Sequence, residues 1–332
     1  MLTMTGIWMY VWLVIGFVCL IKGADFFVDG SSSIAKIFNV PTVIIGLTIV
    51  AMGTSAPETA VSISAALQGA NDIAVSNVVG SNFFNLLVVV GICAILQPIK
   101  ISKALVKRDY PYSIFATVLL LIFLAIGHII TGKPTLTRVD GIIMLICFAA
   151  YLIVLIRSTL IEIARGDDVE IEEVKSRSLP VSLILIAVGL AGIIAGGDLV
   201  VKSATAIATE FGMSNTLIGL TIVAMGTSLP ELVTSIVAAK KGEADLALGN
   251  VIGSNIFNLL LVLGISSSVH PISVQFDSII DTVLLIVVNL IVLAIVLKKK
   301  SSIGRGVGII MVVMYIIYTA YIIMRNYSML PF

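Results

Sequence analysis

Two glutamates in this sequence stand where a carboxylate is costly. Glu58 and Glu231 each follow a proline inside a long apolar run, in the pattern Gly-Thr-Ser-x-Pro-Glu. A carboxylate within a membrane helix costs on the order of 2.5 to 3.5 kcal/mol on insertion scales, so it needs a partner or a task. No Lys or Arg occurs in the runs that carry these glutamates, nor in the runs at 74–96 and 246–269. A bound cation is then the simplest counter-charge. Helical spacing puts Thr54 and Ser55 on the face of Glu58, and Thr227 and Ser228 on that of Glu231. Pro57 and Pro230 have no N–H for the carbonyls of Gly53 and Gly226, which frees backbone oxygens. In a bilayer that is tolerated where the carbonyls face a polar cavity or bind a cation. Carboxylate, hydroxyl and carbonyl oxygens form a hard ligand set, suited to Ca²⁺, Na⁺ or Mg²⁺ and not to soft metals.

A second polar stripe follows each glutamate. Asn77, Ser81 and Asn85 fall at i, i+4 and i+8, and Asn250, Ser254 and Asn258 repeat the pattern. Small and hydroxyl residues also let helices pack closely, prolines kink them, and Asn bonds across helices. For Asn77 and Asn250 the packing and ion-binding readings both stand. Asp25 and Asp198 have Lys22 and Lys202 within a helical turn, which predicts local pairing at a helix end. His128 and His270 stand singly and receive no role. Cys19, Cys93 and Cys147 lie inside apolar runs without close spacing, so they read as small core residues and not as a disulfide or thiolate site.

The elements that must position these residues are membrane helices. With 59% hydrophobic against 12% charged residues, the 332-residue chain reads as an integral membrane protein. Ten apolar runs approach the roughly 20 residues needed to cross a bilayer. They fall at about 8–28, 42–66, 74–96, 111–130, 139–156, 180–201, 216–239, 246–269, 279–297 and 303–324. The alternation of a membrane barrel is absent from runs such as Val118 to Ile126. Basic residues sit in short loops with a net charge of +1, which implies no nucleic-acid partner. The first run lacks a basic leader segment and is read as a retained helix.

The order of the runs is duplicated. GLTIVAMGTSAPE at 46–58 returns as GLTIVAMGTSLPE at 219–231, and GSNFFNLLVVVG at 80–91 as GSNIFNLLLVLG at 253–264, both at an offset of 173. Five crossings per copy is an odd number, so the second copy starts on the opposite side. The expected architecture is therefore an all-α integral membrane protein of ten transmembrane helices in two inverted five-helix repeats. The repeats span 1–156 and 179–332, joined by a linker at 157–178. Among the loops on one side the basic residues are Lys133, Arg138, Lys202 and Arg325. Lys22 sits at the end of helix 1, and the rest follow the odd-numbered helices. The positive-inside rule then makes the linker cytoplasmic and both termini external, in a cell membrane. The linker's acidic cluster from Asp167 to Glu173 lacks the spacing of a calcium-binding hand, and reads as a solvated connection.

These motifs resemble the two alpha-repeats of the cation/calcium exchanger superfamily, and are most similar to the compact prokaryotic form of the sodium/calcium exchanger branch. The resemblance rests on Gly53 to Glu58 with Gly80 to Asn85, and on Gly226 to Glu231 with Gly253 to Asn258. It implies ion ligation by Glu58, Glu231, Thr54, Ser55, Thr227, Ser228, Ser81, Asn85, Ser254 and Asn258, and by the carbonyls of Ala51 and Ala224. Some relatives and the potassium-dependent branch carry Asp at the position of Asn258, so a two-carboxylate site without potassium coupling is expected. The proton/calcium branch carries Gly-Asn before its glutamate, where this chain has Gly-Thr-Ser.

Two carboxylates balance one Ca²⁺, and a rule that the empty, doubly charged site does not cross would force exchange over leak. A family-like three Na⁺ for one Ca²⁺ moves one net charge, which a negative interior favours at about 2.3 kcal/mol per 100 mV. The expected function is Na⁺/Ca²⁺ antiport by alternating access, without a cofactor, the partners being the two ions and the lipid bilayer. A monomer is compatible with the sequence. A proton-coupled or broader divalent-cation antiporter, a cation channel and an intramembrane enzyme are the competing readings. An enzyme is disfavoured because no HExxH or Ser/His pair occurs in the helices.

Overall fold

The computed structural model describes residues 6–165, 177–212, 224–298 and 302–326. In chain order the helices are α1 (Ile7–Ile37), α2 (Thr42–Thr54), α3 (Ala56–Leu67), α4 (Asn71–Leu96), α5 (Leu105–Thr131), α6 (Arg138–Arg165), α7 (Leu179–Glu210), α8 (Ala224–Gly226), α9 (Leu229–Lys240), α10 (Ala244–Val269), α11 (Asp277–Lys298) and α12 (Arg305–Asn326). Among the described residues eight are long and apolar enough to cross a bilayer, and α2 with α3, bent by 50°, makes a ninth if taken as one span. The run expected at 216–239 begins outside the described residues. Its described part is α8 and α9, interrupted at Thr227 and Ser228.

Helices α4 and α10 are the centre of the bundle. Of their most apolar windows 83% and 94% are buried, against 17% to 33% for the other six long helices, whose outer faces are left for lipid. Glycine sets the close crossings. A Cβ on Gly46 of α2 would lie 2.5 Å from the carbonyl of Leu246, and one on Gly249 of α10 would lie 2.5 Å from that of Val43. Only a hydrogen at both positions lets the two backbones meet, and the meeting lays the Gly-Thr-Ser segment of α2 beside Asn250 and Ser254 of α10.

The long outer helices α1 and α7 pack on each other in the same way. Gly16, Gly23 and Gly30 recur at every seventh position of α1, and a Cβ on Gly23 would meet the backbone nitrogen of Ile193 at 2.7 Å. At 31 and 32 residues these helices exceed their expected extents of 8–28 and 180–201. At ~1.5 Å per residue each also exceeds the ~30 Å of bilayer hydrocarbon. The excess of α1 carries polar residues from Asp29 through Ser31 to Lys36. Helix α6 likewise runs past the expected end of the first repeat at 156.

Two details depart from what the sequence leads one to expect. Strand β1 (Ile99–Lys100) pairs antiparallel with β4 (Ser302–Ile303), and β2 (Thr135–Leu136) with β3 (Ile272–Ser273), each tying two interhelical loops together. The second is the pairing of Asp25. Its expected partner Lys22 is 3.8 Å away, but Lys241, in the turn between α9 and α10, lies 2.9 Å from Asp25 and 2.6 Å from Asp29. Arg177 reaches Asp29 at 3.6 Å, and the Glu243 carboxylate accepts the Ser32 hydroxyl. Asp198 does pair locally, with Lys202 at 2.7 Å.

Candidate functional site

Each glutamate sits where a helix restarts inside the bundle. The first span breaks at Ser55 (φ −82°, ψ 10°), and α3 begins with Pro57 and Glu58 in its first turn. The second breaks at Ser228 (φ −92°, ψ 6°), and α9 begins with Pro230 and Glu231. Proline suits a first turn because the amide it lacks has no intrahelical acceptor there. The other first-turn N–H groups and the positive end of the helix dipole favour a carboxylate at that place, which offsets part of the cost of burying it. Both glutamates are 0% exposed.

The two breaks face each other, and the hydroxyl of one break serves the carboxylate of the other. Ser55 donates to Oε1 of Glu231 at 2.8 Å, and Ser228 to Oε1 of Glu58 at 3.0 Å. Ser81 Oγ lies 3.0 Å from Ser228 Oγ, and Ser254 donates to Glu231 Oε1 at 3.3 Å. Thr54 Oγ1 meets Asn250 Oδ1 at 3.0 Å, and Thr227 Oγ1 meets Asn77 Oδ1 at 3.4 Å. Asn77 and Asn250 turn their amides to the carbonyls of Glu58 and Glu231, both at 3.4 Å, and to Ser62 at 3.0 Å and Ser235 at 2.9 Å. They fasten the restarted helices to α4 and α10, which favours the packing reading for this pair.

Among the described residues, four buried oxygens of these side chains have no hydrogen-bond partner: Oε2 of Glu58, Oε2 of Glu231, Oδ1 of Asn85 and Oδ1 of Asn258. All are acceptors, and buried acceptors left without a donor are costly unless a cation takes that place. The carbonyl of Ala51 accepts the Ser55 N–H at 3.0 Å and lies 3.4 Å from the Thr54 hydroxyl, while Ala224 opens α8. Among the described residues no three His, Cys, Asp or Glu side chains gather, so the lining is carboxylate, amide and hydroxyl oxygen. That donor set fits a hard cation such as Ca²⁺ or Na⁺ as the cargo.

The site also contains Asn82 and Asn255, to which the sequence reading gave no role. Each is 1% exposed and lies three residues before Asn85 or Asn258. Their signal was the repeated Gly-Ser-Asn itself, an amide conserved between the two copies within an apolar run.

Broken apolar helices that meet at buried carboxylates, inside a bundle sheathed by lipid-facing helices, define a membrane transporter of ions. Residues 8–157 and 181–324 match the model of the sodium/calcium exchanger protein family. The chain belongs to that family, is of its compact prokaryotic type, and is a cation/Ca²⁺ antiporter, not an enzyme. It is 44% identical over 266 residues to the putative antiporter CaxA of Alkalimonas amylolytica, covering 79% of this chain and 81% of that one. To the sodium/calcium exchanger MaX1 of Methanosarcina acetivorans it is 32% identical over 335 residues, covering 92% and 96%. The solved sodium-calcium exchanger NCX_Mj, soaked with 2.5 mM Na⁺ and 0.1 mM Ca²⁺, superposes with a TM-score of 0.81 at 32% identity, over 95% of this chain and 99% of that one.

Proposed function

We propose that this chain exchanges Na⁺ for Ca²⁺ by alternating access at one site between Glu58 and Glu231. The observation that carries the reading is the reciprocal clamp. Each carboxylate is held through one oxygen by the serine of the opposite break, and its second oxygen has no hydrogen-bond partner among the described residues. A pair of charges near −2 is matched by one Ca²⁺ or by Na⁺ ions bound together, and the unmatched pair is the state that cannot cross. The ligands are Glu58, Glu231, Ser55, Ser228, Thr54, Thr227, Ser81, Ser254, Asn85 and Asn258, with the carbonyls of Ala51 and Ala224. The names sodium/calcium exchanger and sodium-calcium exchanger carried by two of the similar proteins support sodium as the coupling ion.

The architecture that goes with this reading is two inverted five-helix repeats, 1–156 and 179–332, giving ten crossings, a cytoplasmic linker at 157–178 and external termini. The recurrence of break, proline, glutamate and asparagine at an offset of 173 supports it. The test is ⁴⁵Ca²⁺ uptake into proteoliposomes preloaded with Na⁺, K⁺ or protons. Uptake driven by internal Na⁺ alone is expected. Uptake driven by a pH gradient alone overturns the sodium coupling, and uptake without any counter-ion overturns antiport.

A further inference from the structure

Asn82 and Asn255 form a reciprocal pair between α4 and α10. The Asn82 amide donates to the backbone carbonyl of Asn255 at 3.2 Å, and the Asn255 amide to that of Asn82 at 3.5 Å. A backbone carbonyl only accepts, so each amide must turn its NH₂ that way and its oxygen the other way. The Asn255 oxygen thereby faces Asn85, whose NH₂ donates to it at 3.2 Å, and the Asn82 oxygen faces Asn258, whose NH₂ donates at 3.3 Å. With an N–H of each held by its partner, the amides of Asn85 and Asn258 are fixed with their oxygens turned the other way. Among the described residues both of these oxygens lack a hydrogen-bond partner.

We infer that Asn82 and Asn255 are positioning residues for ion binding: anchored on each other's backbone, they fix the amides of Asn258 and Asn85 with oxygen, not NH₂, toward the cation. The inference rests on the ion-site reading given above. An amide turned the wrong way puts two N–H dipoles where the cation needs an acceptor, so orientation, and not the mere presence of Asn, decides whether the residue is a ligand. The control crosses between the halves, since Asn255 sets Asn85 and Asn82 sets Asn258. Neither pair of ligands is set from within its own motif.

The relation is tested by Asn255→Leu, branched at the same carbon but without an acceptor, and by Asn255→Asp, which keeps one. Loss of an outer-shell partner of a metal ligand typically costs 10- to 100-fold in affinity. In Na⁺-loaded proteoliposomes, Asn255→Leu is expected to raise the apparent KM for ⁴⁵Ca²⁺ by about tenfold with kcat within about twofold of the parent. Asn255→Asp keeps the acceptor for Asn85 but loses the NH₂ that anchors it on the Asn82 carbonyl, so its KM should fall between those of the parent and Asn255→Leu. The readout specific to orientation is a double-mutant cycle with Asn85→Asp, whose two oxygens are equivalent and cannot be turned wrongly. In that background Asn255→Leu should change KM by less than about threefold. An unchanged KM in Asn255→Leu, an equal effect in both backgrounds, or a loss confined to kcat and thermal stability would each overturn the assignment. Should Asn255→Leu fail to fold, Asn82→Leu reads the same relation through Asn258, with Asn258→Asp completing the cycle. Failure of the underlying reading looks different, because the parent protein would then show no Na⁺-driven uptake, or Glu58→Gln would leave its KM unaltered.

Discussion

Ser55 and Glu231 lie 176 positions apart in the chain and share a 2.8 Å hydrogen bond. The matching bond joins Ser228 to Glu58. A hydrogen bond to a charged group contributes about 1.5 to 3 kcal/mol. Ser55→Ala should therefore raise the apparent KM for Ca²⁺ by roughly ten- to a hundredfold. Ser228→Ala should do the same through Glu58. Equilibrium ⁴⁵Ca²⁺ binding to the purified variants checks this, and wild-type affinity in either would detach the serines from the site.

Glu58→Gln and Glu231→Gln each keep the shape of the side chain, exchange one carboxylate oxygen for NH₂ and remove half of the site's charge. Each is expected to abolish Na⁺-driven Ca²⁺ uptake in proteoliposomes while the protein still elutes as a folded species. Transport near the parent rate in either variant would contradict a two-glutamate site.

Two glycines of α7 differ in what surrounds them. A Cβ on Gly189 would fall 2.5 Å from the backbone nitrogen of Phe27, whereas one on Gly197 meets nothing closer than 3.8 Å. Gly189→Ala must push α1 away, an overpacking that costs about 1 to 3 kcal/mol. Gly197→Ala gains helix propensity at no steric cost. Thermal unfolding in detergent should show a lower midpoint for Gly189→Ala and an unchanged or higher one for Gly197→Ala, and the reverse order would remove the close α1–α7 approach.

Burial pushes the Glu243 carboxyl up to about 7, with Asp29 adding to the rise and the Ser32 hydrogen bond and the Lys241 charge opposing it. The folded protein then binds a proton here that the unfolded chain releases near its ordinary value of 4.5. Stability is therefore largest below that value and falls as pH rises from there to about 7, by up to the order of 3 kcal/mol. Glu243→Gln is neutral throughout. Its melting midpoint should match the parent near about pH 4.5 and exceed it near about pH 8. Parallel curves would show that this carboxyl does not titrate in the folded protein.

The orientation rests on loop charge and is open to labelling. After removal of Cys19, Cys93 and Cys147, Glu170→Cys should react with an impermeant thiol reagent only in permeabilised cells, and Thr3→Cys and Ser328→Cys in intact ones. Labelling of the linker and a terminus from one side would leave the two repeats unable to be inverted.

Much of the site was legible because a carboxylate without a cation beside it is conspicuous in an apolar run, and because Glu58 and Glu231 announce each other through the repeat. The prolines signalled a disturbance of each helix at the carbonyls of Gly53 and Gly226, and the breaks themselves fall at Ser55 and Ser228. What the sequence concealed was the partner of each group. Helical arithmetic set Ser55 on the face of Glu58, yet its hydroxyl is given to Glu231, since only the meeting of the two breaks decides which carboxylate is nearer. Asn82 stands one residue off the stripe of Asn77, Ser81 and Asn85. The wider turns at Phe84–Val89 and Phe257–Val262 also spoil the regular spacing from which a partner might be read. Lys241 was hidden from Asp25 by the nearer Lys22, since proximity in sequence says nothing of a turn brought in from the far half.

Crossed clamps have a bearing on ancestry. In a lone copy of the repeated segment the glutamate would lack the serine that serves it here, so such a copy would complete this clamp only by pairing with a second one. Such a pair is bound to be alike at both ends. Fusion lifts that obligation, and the present chain has used the freedom at one place in particular: where the second half carries Lys241 and Glu243, the first carries Gln68 and Ala70. Gln68, just past the end of α3, bonds back to Ser64 of that helix, while Lys241 reaches across to Asp25 and Asp29. Among the described residues Lys241 thus ties one end of the molecule to α1 by charge where Gln68 makes no such tie, an inequality that a pair of identical copies could not have.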